Sequence, residues 1–554
     1  MANSTASAAA SWQTIAHRDS LIPSRWRLPA ELLASLPTNV TGIPPQFLTA
    51  REVELTGLTA SELARKIAAR QVTAREVTVA FCHRAAIAHQ LVNCLTEIFF
   101  DSAIARAEEL DRILAKTGKV LGPLHGVPIS IKDHFNIEGL ETTGGYVSYA
   151  NHGPVKKDAL AVEILRNAGA VLYVKTNNPQ CMMVLETVSN IYGRTLNPRN
   201  TTLGAGGSSG GEGALLALRG SPLGLGSDVG GSIRVPAAFN GLYGFKPSGR
   251  RVPTSGWECE NMGQESIIAV SGPLGRSIED LNLFFQVTSD AKPWLYEPLL
   301  EVPWKTDEQL NFNPRRLTIG LMLWDEVVMP HPYLTRILKA VAAKLQAAGH
   351  EVANFKPYDH GRAWSDILLP LYFTDGGENI RKTLQASGEP MLPSAKHLMD
   401  DPIVKPLEIH ELWKHHVARD NYRTEYLEHW NSTARTTTSG KPIDVIICAP
   451  SCVQGTPHDV RPWWGYCSQW NLLDYPCGII PAGTAEADDQ YPDNYKPVNA
   501  LDEGNFRLYD SNLYAGMPVT IQVVGRTLQD EKVMKAMEII DQVINRKEKP
   551  SSRL

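Results

Sequence analysis

The stretch that most constrains this 554-residue chain is Gly204–Ala238, where glycine and serine crowd together between apolar flanks. Gly204-Ala-Gly-Gly-Ser-Ser-Gly-Gly-Glu-Gly213 runs straight into Ala214–Leu218, which reads as a helix. A flexible Gly/Ser linker separates domains; this segment has apolar sequence on both sides and must fold as part of a core. A dinucleotide loop needs G-x-G-x-x-G, and both candidate starts fail at the third glycine, where Ser209 and Val229 stand. Gly206-Gly-Ser-Ser-Gly210 does match the G-x-S-x-G elbow of α/β-hydrolases. That elbow follows a strand, whereas Asn197–Thr202 reads as a loop; a serine hydrolase using Ser208 as nucleophile stays as an alternative.

Ser232 is the second candidate. Gly230-Gly231 before it lets successive amides turn toward one point, and Ile233-Arg-Val-Pro-Ala after it reads as a helix start, with its positive dipole end. A serine at such a turn has an anion-stabilising pocket beside its own hydroxyl, which acyl transfer requires. Taken alone, the same serine reads first as a helix N-cap.

The surroundings read as an α/β protein. Thr59-Ala-Ser-Glu62 and Thr73-Ala-Arg-Glu76 fit capping boxes, with Leu58/Leu63 and Val72/Val77 as staples. A further helix is expected over Ser102–Lys116. Val127, Ile129 and Ile131 alternate with Pro128, Ser130 and Lys132, the period of a strand. Leu160–Ala168 reads as a helix ending at Gly169, followed by the strand Ala170–Lys175. Leu317–Leu323, Val445–Ala449 and Thr520–Val524 read as strands, Tyr333–Ala348 as a helix ending at Gly349, and Ala485–Gly504 as a polar surface loop. Residues 1–50 read as an N-terminal arm packing on the body, 51–546 as the catalytic domain and 547–554 as a polar tail.

Composition removes other classes. A net charge of -5 offers nucleic acid no electrostatic footprint. No run of about 18 apolar residues reads as a membrane span, and the start lacks the pattern of a secretory signal. Eight scattered cysteines without a CxxC pair fit reduced thiols in a cell interior. The cytoplasm is therefore the expected address. Ser552-Arg553-Leu554 resembles a peroxisomal signal and keeps that compartment as the alternative. H-E-x-x-H and H-x-H are absent, so no metal site is expected.

Gly204–Ser248 resembles the signature of the amidase signature family. Gly126-Val-Pro-Ile-Ser-Ile-Lys-Asp133, Lys175-Thr-Asn-Asn-Pro-Gln180 and Gly516-Met-Pro-Val-Thr-Ile-Gln522 resemble its supporting motifs. Phe81–Gln90, Asn190–Arg199 and Trp470–Asp474 are similar to the fungal acetamidase branch. The likeness spans roughly residues 55–540. It implies an α/β fold with a large mixed, mostly parallel central sheet covered by helices on both faces.

It also implies a serine amidase without metal or organic cofactor, acting on a small-molecule amide through an acyl-serine. Lys132 resembles the catalytic lysine, Ser208 the bridging serine after a cis peptide bond, and Ser232 the nucleophile. Val229, Gly230, Gly231 and Ser232 occupy the oxyanion-hole positions. Ser209 matches a serine that hydrogen-bonds around the lysine, and Asp228 and Arg234 a charged pair bracing the loop. Glu212 stands where many bacterial members have serine. Tyr146, Met182, Met183, Trp257 and Trp464 fall on loops that carry substrate in the family. Lysine ordinarily titrates near 10.4, so Lys132 can act as a base only if burial disfavours its cation. An amidotransferase-type subunit needing partner chains is a second functional reading; a homodimer is left open.

Overall fold

The computed structural model describes residues 2–150, 152–310, 312 and 316–545. The Ser552-Arg553-Leu554 tripeptide lies outside the described residues.

Eleven strands among these residues form one sheet. In chain order they are β1 (Leu95–Ile98), β2 (Pro128–Lys132), β3 (Val171–Thr176), β4 (Leu223–Asp228), β5 (Tyr243–Lys246), β6 (Val270–Gly275), β7 (Thr318–Leu321), β8 (Glu351–Asn354), β9 (Val445–Cys448), β10 (Cys477–Thr484) and β11 (Pro518–Val524). Their spatial order is β1-β3-β2-β4-β6-β5-β10-β11-β9-β7-β8. The sheet is mixed, as expected, but its balance differs from the expectation. β3-β2-β4 and β9-β7-β8 are parallel, and the remaining six pairings are antiparallel. β6 runs antiparallel between β4 and β5, and β10 and β11 are antiparallel to each other and to their outer neighbours β5 and β9.

Helices cover both faces. Successive strand residues point to opposite sides. On β10, Gly478 faces Met537 of the helix Asp530–Ile544, whereas Cys477 lies beside Arg234 of the helix Arg234–Asn240. The helix Gly210–Ala217 packs against Arg234–Asn240 on that second face.

Most predicted elements fall within two residues of their observed bounds: helices Phe100–Thr117, Leu160–Asn167 and Pro332–Ala347, and strands β2, β3, β7, β9 and β11. The Thr59 capping box is closed in both directions. At Thr73 only half forms: its side chain accepts from the Glu76 amide, while the Glu76 carboxylate turns to Arg51. Two segments read as loops hold structure. Leu196–Asn197 and Asn200–Gly204 pair as a small ribbon apart from the main sheet, and Asn499 caps a helix Ala500–Arg507. In the first fifty residues, Arg18 donates to the Leu95 carbonyl at 3.0 Å and Trp26 stacks on His83.

Candidate active site

Parallel pairing of β2 with β4 brings the C-terminal ends of the two strands side by side. Lys132 ends one, Ser227 and Asp228 the other. Ligand sites of open α/β sheets gather at such strand ends. Lys132 is completely buried, and its Nζ donates to Ser208 Oγ at 2.6 Å and to Ser227 Oγ at 3.0 Å. Burial lowers its pKa from 10.5 to about 7, against an upward pull from Asp228 with which it makes no ion pair. An amine poised there exchanges a proton near neutrality, and a hydroxyl both donates and accepts.

Ser208 follows a cis Gly207–Ser208 peptide and enters the helix Gly210–Ala217 from its loop. Ser209, expected around the lysine, instead aligns with strand and turn backbone: its amide donates to the Ser232 carbonyl at 3.2 Å and its hydroxyl faces the Ser227 carbonyl at 3.5 Å. The second hydroxyl on Lys132 is Ser227, which sequence reasoning missed. Glu212 is buried one turn on, accepting from Ser130 at 2.5 Å and Thr176 at 2.8 Å; burial pushes its carboxyl up to about 8.

Ser232 sits in the turn from β4 to the helix Arg234–Asn240. It does not cap that helix, whose first flanking residue is Ile233 and which has no side-chain cap. The turn is built around Asp228, which accepts from the amides of Gly231 at 2.8 Å and Ile233 at 3.1 Å. Arg234 meets it with Nε at 3.0 Å and Nη2 at 2.9 Å. Burial pushes the Asp228 carboxyl up, but the Arg234 charge and hydrogen bonds overcome it and hold the group well below the carboxylate range. Arg234 is tied further to Asn471, Gln522 and the Cys467 carbonyl.

The Gly231 amide, one of four expected oxyanion donors, is therefore engaged by Asp228. The amides of Val229, Gly230 and Ser232 have no acceptor among the hydrogen bonds of the described residues. The carbonyls of this turn are held from outside: Tyr372 donates to Val229 O at 2.7 Å, and Trp464 Nε1 donates to Gly230 O. A Cβ on Gly230 would stand 2.5 Å from the Trp464 ring, and Gly231 takes a φ of +129°. Only glycine fits both positions.

Ser208, Ser227, Asp228, Val229 and Ser232 line a cavity of about 80 Å³ with Met182, Met183 and Trp257. Two predicted substrate residues lie elsewhere: Trp464 braces Gly230, and Tyr146 is buried beside Tyr149. The further lining residues His134, Cys259, Glu260 and Asn261 were not foreseen. His134 follows Lys132 by two residues, the one signal available for it; Glu260 lies in a loop without periodicity.

A large mixed sheet covered by helices on both faces is the architecture of amidase signature enzymes, and the comparisons agree on that family. The Amidase family model matches residues 76–534, and the chain belongs to that family of amide-hydrolysing enzymes. An amidase of Gibberella zeae is 42% identical over 94% of this chain and 96% of its own length. An acetamidase of Emericella nidulans is 40% identical over 94% and 95%. The solved fatty acid amide hydrolase superposes with a TM-score of 0.91 at 33% identity, covering 97% of this chain and 95% of that one. No helix among the described residues is long and apolar enough to cross a membrane.

Proposed function

We propose that this chain is a self-sufficient serine amidase in which Ser232 attacks the amide carbon, Ser208 relays the proton and Lys132 holds it. The observation that carries the reading is Lys132: a buried amine near neutrality, bonded to Ser208 in the cavity that Ser232 lines. A serine hydroxyl is a weak nucleophile until a base takes its proton. That proton passes through Ser208 Oγ to Lys132 Nζ as the Ser232 Oγ–carbon bond forms. The free amides of Val229, Gly230 and Ser232 receive the developing oxyanion. The relay then runs backward: Lys132 returns the proton through Ser208 to the leaving nitrogen, the C–N bond breaks, and ammonia or an amine departs. Water repeats the sequence on the acyl-Ser232 and releases the carboxylate. Ser209, Asp228 and Arg234 set the shape of the turn.

The acetamidase relative favours short carboxylic amides. Relatives named amidase and acetamidase along almost the whole of both chains support a free-standing enzyme over a subunit of an amidotransferase. Purified chain alone is expected to hydrolyse acetamide, and Ser232→Ala to lose that activity while keeping the native circular dichroism. A fluorophosphonate is expected to label Ser232; labelling at Ser208 would establish the elbow-serine alternative in its place.

A further inference from the structure

The cavity that the two serines line is unusual in its other polar atoms. Both ring nitrogens of His134, the Trp257 indole N–H and both carboxyl oxygens of Glu260 are buried without a hydrogen-bond partner, and all three residues line the same cavity. His134 is 2% exposed and Glu260 7%. Its own amide, the Tyr146 hydroxyl, the Met182 amide and the Cys181 thiol come near enough to the Glu260 carboxyl to favour its anion, yet none reaches hydrogen-bond geometry, and the Tyr146 hydroxyl is itself unpartnered. Buried polar groups are ordinarily satisfied, because leaving them bare forfeits their hydration with no return. The set does not belong to the reaction machinery above, since Lys132 bonds to Ser208 and Ser227 and to neither of these residues.

The three groups are complementary in their hydrogen-bonding chemistry. Burial keeps His134 neutral and holds the Glu260 carboxyl above its usual range. A neutral imidazole has one donor and one acceptor nitrogen, an indole one donor, and a carboxyl accepts in either state. A ligand group that both donates and accepts meets all three. Met182, Met183, Val229, Ile267 and Ala269 supply the apolar part of the lining, and Asn261 and Gln264 add two amide side chains to it.

Resting on the amidase reading, we infer that the acyl part of the substrate carries a hydroxyl or comparable O–H or N–H group. It donates to Glu260 and accepts from Trp257 or His134, so that short polar acyl amides are preferred to their hydrocarbon counterparts. Glu260 and His134 are then specificity-determining residues.

Isosteric pairs test this: glycolamide against propionamide, 3-hydroxypropionamide against butyramide, and 4-hydroxybutyramide against valeramide, compared by kcat/KM. At the best chain length the hydroxyl amide is expected to win by at least about tenfold, since a site built to bond a hydroxyl rejects the analogue lacking it. In Glu260→Leu that ratio is expected to fall to one or below. His134→Phe, which keeps a ring against Trp257, is expected to weaken the ratio in the same direction. Glu260→Leu is also expected to raise the Tm, because an unpartnered buried carboxyl is exchanged for an apolar side chain; a purely structural Glu260 would lower it. Preference for the methyl compound at every length overturns the inference, as does a hydroxyl preference that survives both variants. Acetamide turnover and fluorophosphonate labelling report separately on the amidase reading. Should wild type hydrolyse neither series, calorimetric titration of the same pairs into Ser232→Ala decides, and equal or absent binding of both members overturns the inference.

Discussion

Two buried cations stand at the end of the same strand pair, and the fold treats them oppositely. Lys132 and Arg234 are both fully inaccessible. Arg234 has a carboxylate at 2.9 Å, and its charge is pinned despite the burial. Lys132 has two hydroxyls and no carboxylate in contact, and it falls from 10.5 to about 7. Of the acids that act on it, Asp228 is taken by Arg234, and Glu212 is itself pushed up to about 8 by burial and bonded to Ser130 and Thr176. A charge that must stay is thus given a counter-charge, and a charge that must come and go is given only dipoles. The same carboxylate that pins Arg234 also organises the Ser232 turn, so rigidity and proton mobility are built side by side.

The largest expected effect comes from removing the mobile cation. Lys132→Met is expected to lower amide kcat by about 10³-fold or more, within the range for loss of a positioned base. Ester turnover suffers less, because an alkoxide leaves with less need of the returned proton. Steady-state rates on a matched amide and ester check this, and equal losses on both would place Lys132 outside the leaving-group step.

Removing the pinned cation's partner acts on the fold instead. Asp228→Ala leaves Arg234 buried without compensation, which costs about 3–5 kcal/mol. It also frees the Gly231 and Ile233 amides, so the Ser232 turn loosens. Urea unfolding is expected to show the loss of stability, with activity lost as well. A variant as stable as wild type would mean that the surrounding bonds to Asn471 and Gln522 suffice for Arg234.

How far this contrast was legible in the sequence depends on the range of the contacts. β2 announced itself by the alternation of Val127, Ile129 and Ile131, and Lys132, Ser208 and Ser232 by their motifs. The Thr59 box needed only four residues to be read. Ser227 was invisible because its role arises from the parallel pairing of β2 with β4, a choice of neighbour that no local period encodes. Tyr372 and Trp464 hold the Val229 and Gly230 carbonyls from more than 140 residues away in the chain. The antiparallel majority of the sheet, likewise, follows from strand order rather than from any one strand. His134 and Glu260 carry no pattern; they declare themselves only as buried atoms without partners.

The pH dependence of stability separates the two cations again. Lys132 binds its proton more weakly folded than unfolded, so between about 7 and 10.5 the unfolded chain holds more protons. Stability therefore rises with pH across that window and is lowest below it, where the buried cation is charged in both states. Relative to Lys132→Met, wild type is expected to gain about 2 kcal/mol between pH 7 and pH 9. The Arg234 pair contributes nothing to this difference. Denaturant titrations of both proteins at several pH values measure it, and parallel curves would show that Lys132 keeps its charge when buried.

The smallest effect expected is at Ser227, and it probes how the mobile cation is held. Its hydroxyl is one of the two acceptors on the Lys132 Nζ, and a hydrogen bond to a charged group favours the charged form. Ser227→Ala removes that support while leaving the Ser208 relay in place. The acid limb of the kcat/KM–pH profile, where the rate rises as Lys132 loses its proton, is then expected to move down by about one unit, the equivalent of about 1.4 kcal/mol. The plateau should fall less than about tenfold, since neither Ser208 nor Ser232 is touched. A limb shifted upward would show that Ser227 donates to the free amine instead, stabilising the base form. An unmoved limb would leave Ser208 as the sole dipole on Lys132 and reduce the contrast with Arg234 to one bond against many.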